Sequence, residues 1–319
     1  MPGKWLELSI RASAEAAEAL TPVFERAGHG GVVIEPEFAP QKDETDELRP
    51  ALGSYSRLRA YVPEGKETET RRKTVEDAVG LLRAFDLAPM GQLETRWIDE
   101  EDWANAWKRH YSVMRLGRRW VIKPQWQEYA PSPEDRIIEM DPGMAFGTGQ
   151  HPTTQLVLEM LEWLDDAGEV AGRELLDLGT GSGVLAIAAV RAGAKRVLAL
   201  DVEEVAARAA GENAARNGAR ERIEVRHATL GAPVDGVVPV PGIDREAAFD
   251  GAFANIVARV IAERAPALSR ALRPGAWLLA SGIIAEREHE ATEALSAVGL
   301  GTERREQRGD WVALLCRRG

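Results

Sequence analysis

The chain has one cysteine, Cys316, in 319 residues, which excludes an internal disulfide framework and any cysteine-built metal cluster. It has no run of about twenty apolar residues, so no membrane-spanning helix is expected. Its start, Met1-Pro2-Gly3-Lys4-Trp5, enters an alternating strand pattern at once and has no apolar signal core. Positive charge is also scarce. Forty basic residues stand against fifty-one acidic ones, a net charge of -11. That balance argues against a broad phosphate-binding surface and direct nucleic-acid binding, because such affinity comes largely from neutralising phosphates. An acidic chain suits a basic partner, including a basic protein. A cytoplasmic location, away from membranes, is the expectation.

What is present is an ordinary globular composition, 45% apolar and 29% charged, over a length that suggests two domains. The first, residues 1–98, reads β-α-β-β-α-β, the ferredoxin-like order. Its strands fall at Trp5–Ile10, Val32–Glu35, Tyr55–Val62 and Leu93–Ile98, and its helices at Ala14–Arg26 and Glu67–Phe85. Gly28-His29-Gly30-Gly31 ends the first helix with residues that tolerate left-handed geometry, and the Pro- and acid-rich stretch 36–54 reads as a loop. Residues 99–112 read as a helical linker with acids first and bases last, which complements the helix dipole. Trp103 and Trp107 share a face of it and serve to dock it.

The second domain, residues 113–319, opens on a short hairpin about Gly117-Arg118-Arg119 and then alternates helix and strand patterns from Leu156 onward. It closes on two strands, Thr302–Gln307 and Trp311–Cys316, joined at Gly309-Asp310. A doubly wound α/β sheet of seven strands, mostly parallel and ending in an antiparallel hairpin, is the fold class expected. The Gly-, Pro- and Val-rich segment 231–247 reads as a surface insertion, and no internal repeat is present.

Two segments carry the chemistry. Leu175-Leu176-Asp177-Leu178-Gly179-Thr180-Gly181-Ser182-Gly183 leads into an Ala-rich helix. The glycines let the backbone turn sharply and approach a ligand. Their spacing is G-x-G-x-G rather than the G-x-G-x-x-G of a dinucleotide site, which sets a nicotinamide oxidoreductase last among the readings. It points instead to S-adenosylmethionine (SAM), which has no pyrophosphate. Asp201 ends the next strand, where a carboxylate accepts hydrogen bonds from both ribose hydroxyls. His227, after the third strand, reads as a solvated strand-end residue. Asn255, at the end of the strand over 249–254, offers an acceptor and a donor together, able to orient an amine. Ile256 and Val257 follow it, where methyltransferases acting on amino groups of bases or glutamine carry Asn-Pro-Pro-aromatic.

The other segment is Asp141-Pro142-Gly143-Met144-Ala145-Phe146-Gly147-Thr148-Gly149-Gln150-His151-Pro152-Thr153-Thr154. Together with the glycine segment and Asn255-Ile256-Val257-Ala258, it resembles the PrmA family, methyltransferases of the large-subunit ribosomal protein L11. The likeness extends to Trp5–Ile10, Glu101-Asp102-Trp103, Ser281-Gly282-Ile283 and Gly309-Asp310-Trp311-Val312. Gln150, Val257 and Arg259 depart from the residues common at those places. The resemblance implies a substrate-gripping N-terminal domain and a SAM-dependent catalytic domain. It also implies methylation of lysine side chains and the N-terminal amine of L11. Carried residue by residue, cofactor contacts fall to Thr154, Gly179, Asp201 and Asn255, beside the loop glycines Gly181 and Gly183. Phe146 and Thr148 lie in a loop closing over the methionine part, and Asn255 with Thr148 would orient the amine. His151, ahead of Pro152, shapes that loop. No metal is called for. The alternatives are the same fold acting on another protein or a small-molecule amine, and a methyltransferase fold reduced to a binding module.

Overall fold

The computed structural model describes residues 4–28, 32–42, 48–84, 89–99, 113–140, 149, 151–234, 236–239 and 247–319. It divides into two compact units, Met1–Ser112 and Val113–Gly319.

In the first unit the strands are β1 (Lys4–Ser13), β2 (Val32–Lys42), β3 (Leu48–Pro63) and β4 (Glu94–Asp99), and the helices are α1 (Ala14–Ala27) and α2 (Thr68–Ala84). The sheet order is β2-β3-β1-β4, antiparallel throughout, which is the ferredoxin-like arrangement. Alternation along β1 sends Leu6, Leu8 and Ile10 to the helices, where they bury with Leu20, Phe24, Leu58, Val75 and Val79. Ser13 caps α1 by accepting from the Ala16 amide at 3.3 Å.

Two expectations change here. The stretch 36–54 is not simply a loop: β2 and β3 continue into it as a long ribbon, pairing Phe38 with Leu52 and Lys42 with Leu48. Pro36 and Pro40 are tolerated because β2 is an edge strand, and Pro50 because β1 pairs β3 only from Tyr55 onward, so a missing ladder donor costs least there. Gly28 ends α1 in extended rather than left-handed geometry, at φ -73°. Gly30, Gly31 and, beyond Asp99, the linker segment with Trp103 and Trp107 lie outside the described residues.

The second unit begins with a three-stranded sheet, β5 (Met114–Leu116), β6 (Trp120–Pro124) and β7 (Arg136–Met140). β5 and β6 form the expected hairpin about Gly117, and β7 joins β6 in parallel. Next come α3 (Pro152–Asp166), β8 (Glu174–Leu178), α4 (Val184–Arg191), β9 (Arg196–Asp201), α5 (Glu204–Arg216) and β10 (Ile223–His227). The rest is β11 (Phe249–Asn255), α6 (Ala258–Ala271), β12 (Leu272–Ile284), α7 (Glu288–Ala297), β13 (Leu300–Arg308) and β14 (Trp311–Arg318).

The large sheet runs β10-β9-β8-β11-β12-β14-β13, with only β14 antiparallel to its neighbours. Its inner strands β9, β11, β12 and β14 are buried and largely apolar on both faces, as a sheet covered on both sides requires, while the edge strands β10 and β13 are more polar and more exposed. Leu175, Val197, Phe253, Trp277 and Leu279 pack under α3, α4 and the small sheet. Leu176, Leu198, Ala252 and Leu278 pack under α6 and α7. The first strand of this doubly wound order is β8, so the carboxyl ends of β8, β9 and β11 meet at the switch point where such folds bind ligands.

Candidate active site

Beyond β8 the chain turns through Gly179, Gly181 and Gly183, all with positive φ (74°, 55° and 82°). At Gly179 the need for glycine is steric as well: a Cβ would stand 2.3 Å from Cγ2 of Ile256. The loop is pinned to β9 by the Gly179 and Thr180 amides, each donating to the Leu200 carbonyl at 2.9 Å.

Two buried carboxylates brace this loop. Asp201 accepts from the Gly181 amide on Oδ2 (2.8 Å) and from the Glu203 amide on Oδ1 (3.0 Å), which leaves further lone pairs on both oxygens. Burial raises its pKa, against the pull of those two amides. Asp177 lies one strand away, on the face of β8 that carries Leu175, and accepts from the Thr180 hydroxyl at 2.6 Å. Its Oδ1 is buried with no hydrogen-bond partner among the described residues. Burial, with the neighbouring Asp201 charge adding to it, pushes this carboxyl up to about 7, although Thr180 and the Ala186 amide oppose the rise. The sequence reading passed over Asp177. The signal for it was an acid between leucines in the buried part of a strand, where an unpaired carboxylate is rarely placed.

Asn255 stands at the carboxyl end of β11, beside β8. Its Nδ2 approaches the Thr154 hydroxyl at 3.4 Å, and Thr154 is fully buried in the first turn of α3. The Asn255 Oδ1 is buried with no hydrogen-bond partner among the described residues. A buried carbonyl acceptor left in that state costs free energy unless a donor arrives. Thr154, Gly179, Asp201 and Asn255, read from segments a hundred residues apart, are thus gathered at one end of the sheet. Phe146, Thr148 and Gln150 lie outside the described residues.

The α3 start is built by the other half of the same motif. His151 Nδ1 accepts from the Thr153 amide at 3.4 Å and lies 2.7 Å from its hydroxyl, so the ring caps the helix that Pro152 opens. Trp311 packs edge-on against it, ring centres 4.5 Å apart. Burial brings the imidazole down to about 3. His227 sits exposed, with Nε2 2.9 Å from the Val202 carbonyl, as a strand-end residue would.

The donor set fits SAM. The glycine turns give backbone access, Asp201 has acceptor capacity for a ribose, and Asn255 holds an unused buried acceptor. The family model described as ribosomal protein L11 methyltransferase (PrmA) matches residues 4–319. The chain belongs to the PrmA family. Relatives named ribosomal protein L11 methyltransferase are 42% identical in Chloroflexus aurantiacus, with 98% of each chain covered, and 41% identical in Pelotomaculum thermopropionicum, covering 98% of this chain and 99% of the relative. A crystal structure of the ribosomal protein L11 methylase from Lactobacillus delbrueckii subsp. bulgaricus matches with a TM-score of 0.56 and 35% identity, over 66% of this chain and all of that one. Fold and cofactor class are those of a SAM-dependent methyltransferase. Among the described residues no helix is long and apolar enough to cross a membrane, and no cluster of His, Cys, Asp and Glu is arranged to hold a metal.

Proposed function

We propose that this PrmA-family chain methylates amino groups of ribosomal protein L11 in the cytoplasm, on lysine side chains and the N-terminal amine. The family and its relatives carry that substrate in their names. The observation that carries the chemistry is the orphaned Oδ1 of Asn255 beside the glycine turn, an acceptor held ready for an incoming N–H. Asp201 takes the ribose, while Gly179, Gly181 and Gly183 give backbone approach. Thr154 fixes the Asn255 amide, and Phe146 and Thr148 complete the methionine and amine side.

When bound, SAM supplies a sulfonium methyl already activated for in-line displacement. The protein therefore has to align the amine rather than supply an acid. A lysine of pKa ~10.4 must first lose its proton, and an apolar entrance favours the neutral form. Solvent takes that proton. His151 is spent on the helix cap and serves as no base. The N-terminal unit grips the substrate, and the chain's net charge of -11 suits a basic protein.

Mass spectrometry of purified L11 after incubation with enzyme and SAM is the test, with one-methyl increments expected on lysines and the N-terminus. Unchanged L11, with label passing only to small amines, would overturn the substrate. Full turnover in Asn255→Ala would overturn the orienting role.

A further inference from the structure

Ile256 follows Asn255 directly and occupies the place where Asn-Pro-Pro-aromatic methyltransferases have proline. Its amide donates to the Ser281 carbonyl of β12 at 3.0 Å, a bond that proline could not make. One residue on, Gly282 has φ 79°, and a Cβ there would lie 2.6 Å from the Ile256 carbonyl oxygen, 2.7 Å from its carbon and 2.9 Å from its nitrogen. The main chain of β12 therefore presses against the Ile256 peptide more closely than any residue with a side chain allows. On the opposite side, Ile256 Cγ2 fills the space a Cβ on Gly179 would need, 2.3 Å away. The residue is gripped between two glycines, one in the cofactor turn and one in the neighbouring strand. Being β-branched, it is stiff at χ1, which makes Cγ2 a spacer of fixed reach.

We propose that Ile256 is a positioning residue for methyl transfer, setting the separation between the Gly179 turn and the Asn255 amide. The inference rests on the reading that Gly179 and Asn255 serve one cofactor and its amine.

Calorimetry of SAM binding and steady-state kinetics on the full chain test it. Ile256→Ala is expected to lower kcat about tenfold or more while KM for the protein substrate moves less than about threefold, the mark of lost alignment. Ile256→Val keeps Cγ2 and is expected to recover most of that turnover. Gly179→Ala is expected to weaken SAM binding about a hundredfold in the native background and about tenfold in Ile256→Ala, because only backbone strain then remains. An equal penalty for Gly179→Ala in both backgrounds would overturn the proposal. So would unchanged kcat in folded Ile256→Ala, or losses in both Ile256 variants that follow only their thermal stability. If the SAM affinities couple while wild type leaves L11 unmodified, the spacer stands and the substrate reading falls.

Discussion

The glycine-turn end of the sheet and the start of α3 lie in the same unit, and both bury polar side chains, but they treat them in opposite ways. At the turn, Asp177 Oδ1 and Asn255 Oδ1 are buried without hydrogen-bond partners among the described residues, and Asp177 and Asp201 are both held above the usual carboxylate range by burial. At α3, polar groups meet partners. His151 caps the helix, and Gln155 donates to the Gly149 carbonyl at 3.3 Å. Arg308, at the end of β13, reaches Gln155 at 2.8 Å and both oxygens of Glu159 at 2.9 Å. On the proposed reading, acceptor capacity is left open at the turn, where cofactor and amine would supply donors, and is used up at α3. Sites that carry such unfavourable groups are stabilised by the structure around them.

The largest effect expected of this contrast is on binding. Asp201→Ala should weaken SAM affinity by about a hundredfold or more, since the acceptor proposed for the two ribose hydroxyls is gone. The apo protein should lose less than about 2 kcal/mol, because removing a buried charge beside Asp177 offsets part of the cost of leaving the Gly181 and Glu203 amides without their acceptor. Calorimetry and thermal unfolding read the two quantities separately. A much larger loss of stability would make Asp201 chiefly a brace of the turn and erase the difference between the regions.

At α3 the effect is expected on stability instead. His151→Ala should lower stability by about 2 kcal/mol, through the lost cap and the contact with Trp311. Its pH signature has a definite sign. The folded imidazole protonates only near about 3, while an unfolded one does so near 6.5. Between those values the unfolded state binds the extra proton, so stability falls as pH drops from 6.5 towards 3. The contribution is complete above 6.5, and His151→Ala should flatten the slope within that window. Denaturant unfolding across the window measures it.

Most of this frame was legible in the sequence because its signals are local. Alternating glycines after an apolar strand, an acid at the next strand end, and an Asn closing β11 each follow from what a strand–turn–helix unit does with its ligand end. Signals that depend on a distant partner were not legible. The β2–β3 ribbon runs through Pro36 and Pro40 of the edge strand β2 and Pro50 of β3, ahead of the part of β3 that β1 pairs, and these read as loop until that pairing is known. β7 is only five residues and exists because β6 offers it a parallel ladder. The cap of His151 on Thr153 is local, but the ring that covers it, Trp311, comes from the far end of the chain. Ile256 looks like any strand-end apolar residue until Gly179 and Gly282 are seen on either side of it.

The smallest effect, and the sharpest division between the regions, belongs to Asp177. Its folded carboxyl keeps a proton up to about 7, whereas the unfolded one releases it near 3.8. The folded state therefore binds more protons between those values, and stability falls as pH rises through them, opposite in sign to His151. Asp177→Asn keeps an acceptor for the Thr180 hydroxyl and removes the charge. Above pH 7, where the penalty is complete, it should stabilise the apo protein by about 1 kcal/mol and flatten the decline below it. It should also weaken SAM binding about tenfold, because a cationic ligand loses a nearby carboxylate. Unfolding curves and calorimetry on the same preparation supply both readings. Stability gained with affinity lost would mean the carboxylate stays in the apolar strand for the cofactor, while a loss of both would make Asp177 a structural acid like those around α3.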